Sequence, residues 1–215
     1  MRIGILGTGV VGKTLGTKLA KLGHEVRMGS RSAGGEKAKS WVRGAGDKSS
    51  EGTFADAAAH AEIVFNCTSG SVSLEALKAA GASNLEGKTL VDVANPLDFS
   101  KGMPPTLSVC NTDSVGEQIQ RAFPTAKVVK ALNTVTAAVM VDPSLIPGVH
   151  TMFVSGNDQK AKAQVIDLLK TGFGWKEVMD LGDITGARAQ EMILPLWVRL
   201  YSKLQTPNVN IHVVF

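Results

Sequence analysis

The segment Gly7-Thr8-Gly9-Val10-Val11-Gly12 spaces three glycines so that the backbone amides of a turn can close on a pyrophosphate. The apolar run Ile3 to Leu6 before it and the helix-patterned stretch after it supply the strand and helix that such a turn requires. Gly7 allows the tight turn, Gly9 admits the phosphates, and Gly12 lets helix and strand pack closely. The amides around Val10 and Val11 then face the ligand from the positive end of the helix dipole. The bland alternative is a glycine-rich connection in some other α/β protein. Farther along, a second strand ends in Gly29-Ser30-Arg31. A chain that binds NAD carries Asp or Glu here, about 20 residues beyond the glycines, to hold the ribose 2′-hydroxyl. No carboxylate stands here to repel a 2′-phosphate. Ser30 offers a hydroxyl and Arg31 a planar charged fork, so NADP(H) is expected rather than NAD. Lys37 adds charge if the loop Ser32 to Gly35 brings it near, and Arg31 read blandly is a solvated surface arginine.

Three further strand ends are small and polar: Thr68-Ser69-Gly70-Ser71, Ala94-Asn95-Pro96 and Leu132-Asn133-Thr134. At the carboxyl edge of a parallel sheet, such hydroxyls and amides can orient a ribose and a nicotinamide carboxamide. Alternatively, Thr68, Ser69 and Asn133 simply cap the helices that follow. No Tyr-xxx-Lys pair exists, since the single tyrosine is Tyr201, and no Ser-His-Asp set stands out. An alcohol dehydrogenase needs a general acid or base, whereas hydride exchange between nicotinamide and a flavin-like ring needs mainly alignment. The inventory therefore favours a flavin or deazaflavin acceptor. Lys130, within an apolar strand, is the catalytic candidate; it is either a strand-end lysine reaching solvent or a desolvated amine acting on a carbonyl or imine. A non-catalytic NADP(H)-binding redox sensor is the rival from another class.

Strand and helix patterns alternate to position these groups. The expected order is strand Arg2 to Leu6, helix Val10 to Leu22, strand Glu25 to Met28 and helix Glu36 to Val42. A helix near Phe54 to His60 precedes strand Glu62 to Cys67, a helix around Leu74 to Ala80 and strand Thr89 to Val93. Helix Ser114 to Phe123, strand Lys127 to Leu132, strand Thr151 to Val154, helix Gln159 to Lys170 and strand Lys176 to Met179 follow. A long helical pattern from Ala187 to Lys203 is interrupted by Pro195. Near-continuous apolar strands predict a doubly wound parallel sheet of the Rossmann kind, over residues 1–183. Residues 184–215 are expected as a small helical C-terminal cap, because about 30 residues cannot bury a core of their own.

The 215 residues suffice for one well-buried core. Apolar residues at 44% and charged residues at 20% are soluble-globular values. The net charge of +4 comes from scattered Lys and Arg, which suits an anionic cofactor but not a nucleic acid, and 5% aromatics offer few stacking platforms. No stretch approaches the roughly 18 apolar residues of a membrane span. Met1-Arg2 leads straight into the first strand, so a cytoplasmic location is expected. Cys67 and Cys110 lack CxxC spacing and the four histidines lack ligand spacing, so no metal is expected.

Gly7 to Gly12, Gly29-Ser30-Arg31, Asp92-Val93-Ala94-Asn95-Pro96 and Val129-Lys130-Ala131-Leu132-Asn133-Thr134 resemble the NADPH-dependent deazaflavin (coenzyme F-420) reductase family and the reductase domains of the six-transmembrane ferric reductases. The resemblance runs through nearly the whole chain, including Gly156-Asn157-Asp158 and the C-terminal helix. It implies that Gly7, Thr8, Gly9, Val10 and Val11 hold the phosphates and that Ser30 and Arg31 clamp the 2′-phosphate. Thr68, Ser69, Asn95, Pro96 and the segment Ala131 to Asn133 would surround the nicotinamide. It also implies a homodimer that exchanges hydride between NADP(H) and a small-molecule acceptor, which is a deazaflavin or flavin, with a quinone-like compound or small carbonyl left open.

Overall fold

The run Ile3-Gly4-Ile5-Leu6 sends apolar groups to both faces, and a strand of that pattern needs cover on both sides. The computed structural model describes residues 1–214. It forms this run into β1 (Arg2–Leu6), inside an eight-stranded sheet. Then follow α1 (Val10–Lys21), β2 (Glu25–Ser30), α2 (Glu36–Ala45), β3 (Ser49–Thr53), α3 (Phe54–His60) and β4 (Ile63–Asn66). A single 3-10 turn, Gly70–Val72, leads into α4 (Ser73–Ala80), α5 (Ala82–Leu85), β5 (Thr89–Asp92) and a small hairpin of β6 (Leu97–Asp98) and β7 (Thr106–Leu107). The chain continues with α6 (Val115–Ala122), β8 (Lys127–Ala131), α7 (Ala137–Val141), β9 (Thr151–Gly156), α8 (Gln159–Asp167), β10 (Glu177–Asp180), α9 (Ala187–Met192) and α10 (Leu194–Leu204).

The sheet order is β10-β9-β8-β5-β4-β1-β2-β3, and the six strands from β8 to β3 are parallel. Alternate residues feed two cores: Ile3 and Ile5 join Leu15, Leu19 and Trp41 on one face, while Leu6 joins Phe54, Ala57 and Leu77 on the other. The sheet departs from the all-parallel expectation at one edge, where β9 runs antiparallel to β8 and β10 runs parallel to β9. The cause lies in the connection. A parallel return needs a helix long enough to recross the sheet, and α7 has only five residues, about 7.5 Å of rise. The chain therefore re-enters from the edge it has just left. From β9 to β10, α8 and the turn Leu168–Phe173 are long enough for a parallel crossover.

Three other differences have local causes. The sequence Ser-Ser-Glu-Gly-Thr of β3 shows no apolar run, because it is an edge strand. Strand β2 extends to Ser30, so Gly29 and Ser30 are ladder residues rather than loop. The late helical pattern is two helices, and Pro195 opens the second within its first turn, where its missing N–H costs no hydrogen bond. No helix among the described residues is long and apolar enough to cross a membrane.

Candidate functional site

The parallel strands β1, β2, β4, β5 and β8 all end at one edge of the sheet, and the polar segments of the sequence are gathered there. At β1 the chain turns with Gly7 at φ 120°, a conformation that strains any residue with a Cβ, and a Cβ there would also lie 2.8 Å from the Cys67 carbonyl oxygen. A Cβ on Gly12 would come 2.1 Å from the Gly7 carbonyl oxygen, so only glycine lets α1 start this close to β1. At Gly9 an added Cβ would meet nothing within 4 Å; the space above the turn is open. Helix α1 has no side-chain cap on Gly9 and no acidic residue in its first turn. Its first amides are thus left for a ligand, in the arrangement that receives phosphate.

A cleft of about 530 Å³ begins at this turn and is lined by Gly7, Thr8 and Gly9, by Ser30 and Arg31, and by Thr68 and Ser69. Its remaining wall is largely apolar, formed by Phe54, Cys67, Val72, Ala76 and Ala79, with Glu75 as its one carboxylate. Anionic phosphates fit the amide end, and a flat base fits the apolar wall. Arg31 is exposed and joins none of the ion pairs among the described residues. Ser30 Oγ donates to the Ser32 carbonyl oxygen at 2.7 Å, and Gly34 N donates to Glu51 Oε2 at 3.0 Å, so the loop after Arg31 is tied at both ends. Val10 is 75% exposed at the start of α1. Lys37 is exposed on α2 and is not part of the cleft wall. Cys67 lines the cleft, but burial, and then the negative charge of Asp92, push its thiol far up; it is a neutral packing group.

Behind the strand ends lies a buried polar network. Asn66 donates to Asp92 Oδ1 at 2.8 Å and to Ser73 Oγ at 3.0 Å, and it accepts from Thr68 Oγ1 at 2.6 Å. Lys130, fully buried, sets its ammonium 2.8 Å from Asp92 Oδ2, 2.8 Å from Glu191 Oε1 and on the Ala94 carbonyl oxygen. Burial alone would lower its pKa. The two carboxylates outweigh burial and hold it above the ordinary lysine value, so the amine stays charged. Glu191 accepts from Val115 N at 2.9 Å and from Gly116 N at 3.1 Å, at the start of α6. Its burial nevertheless exceeds the pull of Lys130 and raises its carboxyl above the usual range. All three ammonium protons of Lys130 have acceptors, which leaves it a tie between β5, β8 and α9 rather than a group open to the cleft.

Asn95 Nδ2 donates to the Asn133 carbonyl oxygen at 2.8 Å, and Asn133 Nδ2 donates back to Asn95 Oδ1 at 2.9 Å. Asn133 is 2% exposed and also donates to the Gln190 carbonyl oxygen, so its side chain supports the strand ends from behind. Ala94, Pro96 and Ala131 are buried beside it. The sequence offered no motif for Phe54, Val72, Glu51, Gln190 or Glu191. The first two are apolar residues in helical context, and the others act through contacts made only by the fold.

An open α/β sheet, a glycine turn at a helix start and a cleft across the strand ends define a dinucleotide-binding domain of the Rossmann class. Residues 2–96 match the family model for NADP oxidoreductase, coenzyme F420-dependent. The F420-dependent NADP reductase of Methanocaldococcus jannaschii is 32% identical over 99% of this chain and 98% of its own. The metalloreductase STEAP3 of Rattus norvegicus is 29% identical over 91% of this chain but only 38% of its own. A crystal structure from Arthrobacter sp. FB24, provisionally described as an F420 dependent NADP-reductase, is 53% identical and covers both chains completely at a TM-score of 0.95. The chain belongs to the F420-dependent NADP reductase family and is an NADP-dependent oxidoreductase.

Proposed function

We propose that this chain catalyses hydride exchange between NADP(H) and a flavin-like or deazaflavin ring. The observation that carries the reading is the sealing of Lys130: the one amine that sequence offers as a proton donor is fully buried and has three acceptors. Carbonyl or imine reduction through Lys130 loses its donor, while ring-to-ring hydride exchange asks the protein mainly to align its partners. In this reading the first amides of α1 and the Gly7–Gly9 turn hold the pyrophosphate, and Arg31 grips the 2′-phosphate, joined by Ser30 once its hydroxyl turns from the Ser32 carbonyl. Phe54, Val72 and Ala76 shield the adenine, and Thr68, Ser69 and Asn95 border the ring. When bound, the reduced nicotinamide supplies the hydride.

The test is anaerobic mixing of the protein with 4-deuterated NADPH and either coenzyme F420 or FMN, followed by mass analysis of the reduced acceptor. With coenzyme F420 deuterium is expected on carbon C5 of the reduced ring; with FMN, whose N5 position exchanges with water, transfer is read instead as a primary isotope effect on flavin bleaching, and labelled NADH should be far slower with either. Tight NADPH binding without transfer to either ring would overturn the acceptor assignment. The proposal includes a homodimer, supported by the exposed apolar side chains Met192, Leu196, Tyr201 and Leu204 on α9 and α10. Sedimentation velocity should give a dimer, and Leu196→Glu should shift it toward monomer.

A further inference from the structure

Gln190 belongs to a six-residue helix of the C-terminal segment, yet it is only 1% exposed. Its side chain enters the sheet between β8 and β9. Nε2 donates to the carbonyl oxygens of Phe153 at 3.1 Å and Lys130 at 3.3 Å, while Oε1 accepts from Ser155 Oγ. Its own carbonyl oxygen accepts from Asn133 Nδ2 at 2.8 Å. Two of these partners, Lys130 and Asn133, stand on either side of Leu132, whose φ is +67°, and the other two anchor the side chain to β9. Asn111 and Gln205 share that left-handed region, but both are exposed; Leu132 is 1% exposed. A leucine held there is strained, and such a conformation persists only where its surroundings over-determine it. The turn it makes places the Asn133 carbonyl and amide against Asn95, joining the ends of β8 and β5.

We infer that Gln190 is a positioning residue: by bracketing the left-handed turn at Leu132 it fixes the Asn95–Asn133 pair, and through that pair the wall against which the nicotinamide ring is aligned. The inference rests on the reading of these strand ends as the nicotinamide side of the site. Gln190 touches neither the phosphate turn nor Arg31, so its action is on ring geometry and not on affinity. A side chain that only glues the C-terminal segment to the sheet would influence melting and nothing more.

Gln190→Met keeps the length of the side chain and removes its donor and acceptor. Calorimetry should give an unchanged Kd for NADPH. The fluorescence anisotropy decay of bound NADPH should gain a fast component as the ring loosens, and single-turnover hydride transfer to coenzyme F420 should fall by about 10²-fold. Ser155→Ala, which removes only the contact on Oε1, should move both readouts the same way by less. Val198→Ala, in the core of α10 and outside the network, should lower the melting temperature and leave the ring immobile. A folded Gln190→Met protein whose ring stays immobile would overturn the inference, as would a Val198→Ala protein whose ring loosens equally. If Gln190→Met does not fold, Ser155→Ala decides on the same criterion. Failure of the underlying reading is seen separately: Asn95→Ala, which alters the strand-end wall itself, would then bind NADPH and hold its ring as firmly as the unaltered protein, whereas it should loosen the ring if only the role of Gln190 is wrong.

Discussion

Lys130→Met is expected to lower the stability of the protein by about 3–5 kcal/mol, the cost of removing one partner from a buried ion pair and leaving charge behind it. Here two carboxylates share the cation: Asp92 and Glu191 each lie 2.8 Å from the ammonium, and each is at most 1% exposed. Methionine fills most of the lysine volume, so the loss is electrostatic rather than a cavity. Urea unfolding of the apo protein measures it directly. The deficit should depend on pH with a definite sign. Burial already holds the Glu191 carboxyl above its ordinary range, so the native state keeps a proton that the unfolded chain has released. Stability from this group therefore falls as pH rises from the ordinary glutamate value, about 4.3, through the raised one. Removing Lys130 raises that value further and moves the window up. The difference between variant and unaltered protein should be largest at high pH, where the carboxyl is charged, and should shrink on acidification. Adding Glu191→Gln to Lys130→Met should recover part of the loss, because one of the stranded charges is gone. A Lys130→Met protein as stable as the original but slow in turnover would mean that the amine serves chemistry and not the tie.

What could be read before folding was the part of the molecule written in local pattern. The Gly7 to Gly12 turn announces itself because its glycines answer to local sterics: the Gly7 φ of 120° and the 2.1 Å approach at Gly12 need no distant partner to be foreseen. The parallel run of β1, β2, β4 and β5 follows likewise from apolar strands alternating with helices, whereas the polar edge strand β3 carries no such pattern. The reversed edge was not legible from strand periodicity, since β9 has the same apolar pattern whichever way it enters; what decides is the five-residue α7. Lys130 shows how a composition argument divides. An apolar strand explains why its ammonium is desolvated, but the groups that neutralise it come from residues 92 and 191, 38 and 61 positions away along the chain. Gln190 and Glu191 carried no sequence signal because their meaning lies in contacts across β8 and β9. Asn133 was expected to face a ligand and instead spends its side chain on Asn95 and Gln190.

Arg31→Ala should weaken NADPH binding while leaving NADH binding nearly untouched. The guanidinium is exposed, lines the cleft beside Ser30 and joins none of the ion pairs among the described residues, so nothing must be broken for it to meet a 2′-phosphate. A hydrogen bond to a charged group contributes about 1.5–3 kcal/mol, which corresponds to about 10- to 100-fold in Kd. Arg31→Lys should recover part of the affinity through charge and not the remainder, since a point charge lacks the planar fork. Because the contact is at the surface, the preference should decline with added salt. It should also decline below about pH 6, where a phosphate monoester dianion takes up one proton and loses half its charge. Titration calorimetry with both nucleotides, at two ionic strengths and two pH values, separates these effects. Equal NADPH affinity in Arg31→Ala and the unaltered protein would remove the clamp from this strand end. Cofactor choice would then have to come from the loop that Glu51 holds through Gly34.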